Sequence, residues 1–304
     1  MPRVTIGLPV RNGERYLEQA LRSLLSQSFE DFELIISDNS STDRTAEISQ
    51  DIARQDSRVR YHRFTEDVGA ARNFNTVFHL GTARYFKWAA HDDVHHPDYI
   101  SACSRVLDER SDIVLAHSKV ELIDSNGAVL RLLDEGLESA SSADVVQRFS
   151  ALIGSDHWCT SIFGLIRRDV LARTRLIEGF TSSDRVLLAE LALRGRFHTV
   201  PRTLFQNREH PHRSIRSTDI RSAERRIWFS PERSGTAPSM PFVRTWVGYL
   251  RAVARTRRGA RAWIGLTKAL MTWLPQNRGH LYWDIRGLVG WRIRRLAGLD
   301  SDAR

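Results

Sequence analysis

Two aspartates stand side by side at Asp92-Asp93, after an apolar stretch and ahead of Pro97. Adjacent carboxylates repel one another, so something must offset that cost. A divalent cation would do so, because Mg2+ and Mn2+ prefer oxygen ligands and are often held by one or two carboxylates plus substrate phosphates. The structural alternative is an acidic pair favoured by the dipole at a helix N-terminus. The pair alone leaves both open. A second cluster, Asn207-Arg208-Glu209-His210-Pro211-His212-Arg213-Ser214, is dense in cationic and metal-capable groups. It offers guanidinium for phosphate and imidazole for a metal, or it is a solvated basic loop.

These residues need elements that bring them together. Val4–Val10 is a short apolar run that reads as a buried strand. Glu14–Gln27 carries Leu17, Leu21, Leu24 and Leu25 at helical spacing. Leu34–Ser37 reads as a second buried strand ending on Asp38, and Ser41-Thr42-Asp43 caps a helix through Ile48 and Ile52. A strand over Val59–Phe64, a helix over Gly69–Leu80 and a strand over Tyr85–Ala89 continue the alternation. The pattern predicts βαβ units and a mostly parallel sheet. Ligands bind such sheets at the carboxyl ends of the strands. Arg11-Asn12, Asp38-Asn39, Glu66-Asp67 and His91-Asp92-Asp93 all fall there, and four polar loops on one edge make a site.

Farther along, a helix is expected after Pro97 to Glu109, then strands Ile113–Val120 and Val129–Leu133 about a turn at Asp124–Gly127. Residues 134–145 read as a mobile loop. A strand Ile162–Ile166, a helix Ser183–Arg194, and strands Phe197–Val200 and Thr203–Asn207 follow. From about Pro231 the character changes. Phe242–Leu274 carries Trp246, Leu250, Val253, Trp263, Leu266, Leu270 and Trp273 near helical spacing, with Arg between them.

The composition is that of a folded globular protein, 41% hydrophobic and 27% charged. Its 304 residues suffice for one α/β domain over 1–220 and a helical extension over 221–304. The net charge of +9 is uneven. Residues 201–304 hold 21 Lys+Arg against 7 Asp+Glu, a balance of +14, whereas residues 1–200 hold the remaining 24 and 29, a balance of −5. Six of the 8 Trp lie between Trp228 and Trp291. A basic, Trp-bearing amphipathic segment suits an anionic membrane surface. Nucleic-acid binding would favour a basic stripe across the folded face, so no such partner is expected. Cys103 and Cys159 fit no metal motif and read as buried thiols. The opening MPRVTIGLPV lacks the apolar core and cleavage site of a signal peptide. No stretch approaches the roughly 18 apolar residues that span a bilayer. The expected location is the cytoplasm, with peripheral contact at the inner membrane face.

Four segments occur in a telling order: Pro9-Val10-Arg11-Asn12-Gly13, then Ile35-Ile36-Ser37-Asp38-Asn39-Ser40-Ser41-Thr42-Asp43, then Gly69-Ala70-Ala71-Arg72-Asn73, then His91-Asp92-Asp93. Together they resemble the family-two glycosyltransferases, over roughly residues 3 to 215. The resemblance implies the GT-A fold, a Rossmann-like α/β architecture. It also implies transfer, with inversion, from a nucleotide-sugar donor, most often a UDP-sugar, with Mn2+ or Mg2+ as cofactor. By it, Pro9, Arg11 and Asn12 would line the nucleotide pocket and Asp38 would hydrogen-bond the base. Gly69 would give close backbone approach and Arg72 would face the phosphates. Asp93 would bind the metal and Asp92 would contact the ribose or donor sugar. His91 stands where the family usually has an acid. Arg208, His210 and Ser214 would meet the diphosphate or the metal, with His212 as the alternative to His210. Inversion needs a base opposite the leaving group. Asp184, opening the helix after Ser182-Ser183, matches the family's placement, although a first-turn acid also has structural uses. Trp158 could stack on an acceptor ring or belong to the core.

The basic tail and the acidic loops together suggest a lipid-linked or cell-surface glycan acceptor met at the membrane. Two rivals stand against the transferase. A nucleotidyltransferase would show a Gly-rich basic loop after the first strand, and Arg11-Asn12-Gly13 is too short for one. A catalytically degenerate binding protein gains support from His91, but Asp38, Asp92, Asp93 and Asp184 are all retained.

Overall fold

Every side chain of VTIGLPV is buried, as a central parallel strand requires. In the computed structural model, which describes residues 1–134, 136–211, 213, 221–233, 238–256 and 259–297, this run is β1 (Val4–Val10). Helices α1 (Glu14–Leu25), α2 (Thr45–Gln55) and α3 (Ala70–Leu80) connect it in turn to β2 (Phe32–Asp38), β3 (Val59–Arg63) and β4 (Tyr85–Trp88). The four strands pair in parallel in the order β3-β2-β1-β4. Side chains alternate between the faces. Val4, Ile6 and Leu8 of β1 pack with α1, while Phe86 and Trp88 of β4 join the opposite cluster with Val77 and Phe78 of α3.

Beyond β4 come β5 (Val94–His95), α4 (Tyr99–Glu109), β6 (Ile113–Ile123), β7 (Val129–Leu133) and α5 (Val145–Gly154). Then follow β8 (Leu165–Arg167), the short α6 (Arg168–Leu171), α7 (Ser183–Arg194) and β9 (Arg196–Arg208). The sheet continues as β4-β8-β6-β9-β5, with β7 beside β6. Pairing is parallel between β6 and β9 and antiparallel at β8, β5 and β7.

Several expected boundaries move, each for a physical reason. Phe197–Val200 and Thr203–Asn207 belong to one strand. Its register jumps from Ser118↔Val200 to Lys119↔Thr203, so the ladder bulges past Pro201, which has no N–H to give it. Thr160–Phe163 is a 3-10 turn, and the strand expected at Ile162 begins at Leu165. The loop over 134–145 is anchored in its described part: Leu137 and Ala140 are buried, and Arg148 donates to the carbonyls of Ser142 and Ala143.

The extension is helical: α8 (Ala223–Phe229), α9 (Pro241–Arg255), α10 (Ala260–Gln276) and α11 (Arg278–Leu296). It shares a core with the first two-thirds of the chain. Tyr249, Val253, Leu266, Leu270 and Trp273 pack in one cluster with α5 and α7. Helix α7 is buried all round, because this second layer covers its outer side. At Gly248 of α9 an added Cβ would lie 2.8 Å from Val186 of α7, so the helices approach to a distance only glycine allows.

Lys87 sits among the β4 side chains with no exposure. Its ammonium donates to the Phe163 carbonyl and lies 4.4 Å from the centre of the Tyr99 ring. Burial pushes its pKa down from 10.5 to about 7. Between those values the unfolded chain binds a proton that the folded chain does not hold fully, so stability should rise with pH across the window. Lys87→Met should therefore be more stable than the parent near pH 7 and lose that advantage toward pH 10, by up to about 1.4 kcal/mol per pH unit. Denaturant unfolding of both proteins across the window measures this, and parallel pH profiles would refute it.

Candidate active site

The carboxyl ends of β1, β2 and β4 open into a cavity of about 510 Å³. Pro9, Arg11 and Asn12 line it from β1, Asn39 from β2, and His91, Asp92 and Asp93 from the loop after β4. Asp184, at the start of α7, and His210, just past β9, line the same space. Residues up to about 200 positions apart in sequence thus face one another. The β1 and β2 loops are built by mutual hydrogen bonding. Asn12, at φ 51°, accepts the Thr42 N–H at 2.9 Å, and its own N–H reaches Ser41 Oγ at 2.9 Å. Asn73 of α3 donates to the carbonyls of Val10 and Ser37, tying both strand ends together.

The acid pair is asymmetric. Asp93 is 1% exposed. Its carboxylate accepts from Asn207 Nδ2 at 3.1 Å and from the Arg208 N–H at 2.9 Å. Burial, and then the neighbouring Asp92 charge, push the Asp93 pKa upward. Asp92 behaves oppositely. Burial opposes its ionisation, but the positive charge of His91 and the hydrogen bond from His210 outweigh it and hold its pKa down. His210 Nε2 lies 2.9 Å from Asp92 Oδ2, and its Nδ1 is buried without a partner among the described residues. Asp92 thus ionises more readily than Asp93, and Asp93 fastens the β4 loop to the end of β9. Among the described residues no group of three or more His, Cys, Asp or Glu is placed to hold a metal. The Asp92–His210 couple supplies two ligand-type side chains at the cavity. The carboxylate is the kind of ligand that Mg2+ or Mn2+ takes alongside phosphates and water, whereas His210 Nε2 is engaged with Asp92.

Other expected site residues serve as supports. Asp38 is fully buried behind the Asn39 loop. It accepts from the Ser41 N–H and the Tyr61 hydroxyl, both at 2.8 Å, and lies 3.5 Å from Arg63. Arg208 is 1% exposed. It donates to the carbonyls of Asp92 and Asp124 and to Gln19 Oε1, and its guanidinium lies over Tyr16. Neither lines the cavity. Arg72 is exposed on α3, over the Phe64 ring at 5.7 Å, because α3 turns Ala71 and Asn73 inward instead. Gly69 does give close approach, but to protein: an added Cβ would meet Pro231 at 2.5 Å and the Phe229 carbonyl at 2.7 Å. Trp158 lines the cavity with Arg131 and Arg213 against its ring. His212 and Ser214 lie outside the described residues.

The family model described as "Glycosyl transferase family 2" matches residues 5–174, more than half of the chain. The chain belongs to glycosyl transferase family 2. Curated relatives include an uncharacterized glycosyltransferase of Rickettsia typhi, 27% identical over 160 residues, 52% of this chain and 49% of that protein. Another, from Haemophilus influenzae, is 29% identical over 133 residues, 44% of this chain and 53% of that protein. The chain therefore spans about half the length of these relatives. Among solved structures, S. aureus TarS 1-349 matches with a TM-score of 0.63 at 14% identity, covering 91% of this chain and 72% of that one. TarS 1-349 is also known in complex with UDP-GlcNAc. The mannosyltransferase PcManGT from Pyrobaculum calidifontis, in complex with GDP-Man and Mn2+, matches with a TM-score of 0.52 at 15% identity, covering 97% and 87%. The fold is GT-A, as the motif order implied.

Within this family-two framework, Asp67, Tyr16 and the α8 residues Arg225, Trp228 and Phe229 also line the cavity, and no motif assigns them a role. Asp67 was legible as part of a loop. It pairs with Arg11 and accepts from Asn39 Nδ2 at 2.7 Å, joining three strand ends. The α8 residues gave no signal, because nothing local ties them to the sheet edge. Gly69 makes that tie. It has φ 78° and ψ 158°, a region essentially reserved for glycine. Gly69→Ala should therefore cost on the order of 1–3 kcal/mol and lift α8 from the cavity. Thermal unfolding and tryptophan fluorescence of Trp228 report both effects, and an unchanged melting temperature would contradict them.

Proposed function

We propose that the protein transfers a hexose from a nucleoside-diphosphate sugar to a hydroxyl of a glycan or glycolipid acceptor, with inversion. The observation that carries this reading is the meeting of Asp184, the Asp92–His210 couple and the Pro9–Asn12 loop in one cavity. The nucleotide would enter against Pro9, Arg11, Asn12 and Asn39, with Asp38 and Asp67 fixing the loops. The names of the structural neighbours, with UDP-GlcNAc or with GDP-Man and Mn2+, support a nucleotide-sugar donor and a divalent ion.

In the reaction the acceptor oxygen bonds to the anomeric carbon as that carbon's bond to the diphosphate oxygen breaks. The nucleoside diphosphate leaves with the electron pair, and the hydroxyl proton passes to Asp184. Attack opposite the leaving group inverts the anomeric centre. Asp92 and His210 would hold Mn2+ or Mg2+, with Asp93 positioning both. When bound, the cation neutralises charge on the departing diphosphate. Donor hydrolysis over UDP-, GDP- and dTDP-sugars, with and without Mn2+, tests the reading. Asp184→Asn should lower transfer by about 10²- to 10⁴-fold while leaving donor affinity within a few-fold. A protein that neither binds nor hydrolyses any donor would sink the proposal.

The extension supports an acceptor met at an anionic membrane. No helix among the described residues is long and apolar enough to cross one. Helix α11 instead docks through buried Asp284, which accepts from the N–H groups of Phe242 and Val243 at the start of α9. Its outward stripe is Tyr282, Ile285, Val289, Ile293 and Leu296, each more than half exposed, with Arg286 and Arg292 alongside. An apolar stripe flanked by arginines is the pattern of an interfacial helix. The full chain should sediment with phosphatidylserine-containing vesicles and less so at high salt. Val289→Asp with Ile293→Asp should lose most of that binding. Equal sedimentation of parent and variant would remove the membrane from the proposal.

A further inference from the structure

Two arginines that line the cavity, Arg15 and Arg225, have no anion among the described residues; Arg15 is exposed to water, and Arg225 is not. Arg11 pairs with Asp67, and Arg213 donates to Asn207 Oδ1 at 2.7 Å and lies 3.4 Å from Glu209. Arg225, on α8 of the extension, is half-buried in the cavity wall. Among the described residues its side chain has neither an ion pair nor a hydrogen bond, and its Nε is buried without a partner. Its guanidinium lies beside the paired rings of Trp228, at 5.2 Å, and Phe229, at 5.6 Å. Burial pulls its pKa below the usual value, and the charge of Asp184 across the cavity offsets part of that. A guanidinium removed from water needs an oxyanion, and its planar fork matches phosphate oxygens.

We infer that Arg225 binds the diphosphate of the donor, so that the C-terminal extension completes the donor site. The inference rests on the donor reading above. Three observations support it. The α8 segment is locked over the cavity by its close seat on Gly69. The two neighbouring aromatic rings hold the guanidinium by cation–π contact without using its hydrogen-bonding capacity, which stays available to a ligand. Arg225 and Asp184 also face the same space, as a leaving anion and an accepted proton require.

The test is calorimetric titration of the full chain with UDP and with uridine, and with GDP and guanosine, in the presence of Mn2+. For whichever base the parent prefers, Arg225→Ala should weaken the nucleoside diphosphate by about 10- to 100-fold and leave the free nucleoside within about 2-fold. Arg225→Lys, which keeps the charge but not the fork, should fall between. Thermal unfolding checks that both variants fold. Unchanged diphosphate binding by Arg225→Ala overturns the assignment, and if the acceptor's KM then rises instead, the anion belongs to the acceptor. An equal loss for nucleoside and diphosphate also overturns it, because it marks a distorted pocket. A parent that binds no nucleotide at all refutes the donor reading together with the assignment built on it.

Discussion

Asp93 is a carboxylate almost wholly withdrawn from water, and such a group is tolerated only where donors replace its hydration. The donors come from Asn207 and the backbone of Arg208, at the end of a strand that runs thirteen residues. The hydrogen bonds therefore join the loop after β4 to a strand more than a hundred residues later. With that junction made, Arg208 can reach back to the Asp92 carbonyl, and β5 can pair with β9 at His95↔Phe205. His210, two residues past the strand, then meets Asp92. Remove the junction and the first half of the sheet keeps its strands, but the acid pair loses the wall against which it is arranged.

The first ninety residues were close to fully legible. Buried parallel strands must be apolar on both faces, and the helices between them show a helical period. The alternation is unambiguous there, and the polar loops fall on one edge by topology alone. The second half was harder for reasons that are local. Val94–His95 is two residues long, too short for any period. Val145–Gly154 was hidden beside a Ser-rich stretch, although Asp144 caps it by accepting the Val146 N–H at 2.7 Å. The strand with Pro201 looked like two because proline cannot join a ladder, and only the partner strand reveals the bulge that absorbs it.

The extension shows how one composition serves two environments. Its tryptophans suggested a single amphipathic face. The fold divides them: Trp273 is core against Tyr249, while Trp263 and Trp283 point outward. Sequence period marks a stripe but does not say which stripe meets protein. The answer depends on α7, whose outer surface is apolar and must be covered. Once α9 and α10 cover it, the apolar residues left over on α10 and α11 are the ones that need another partner.

The residues singled out by motif and those facing the cavity overlap without coinciding, and the difference follows a rule. Asp38, Gly69 and Arg208 are present in the motifs yet contribute nothing to the cavity wall. Each makes contacts that fix a loop or helix which does face it: Asp38 holds the Asn39 turn, Gly69 seats α8, and Arg208 holds the Asp92 backbone. A polar site that binds a charged ligand gains by having its groups preorganised, since reorganisation then costs nothing at the moment of binding. Preorganisation in turn requires a buried second layer of hydrogen bonds, and only a few residue types fit each of those positions. A motif read from sequence therefore reports the constraint on the whole two-layer assembly. Which of its members touch the ligand is decided by which side chains the buried layer leaves facing inward.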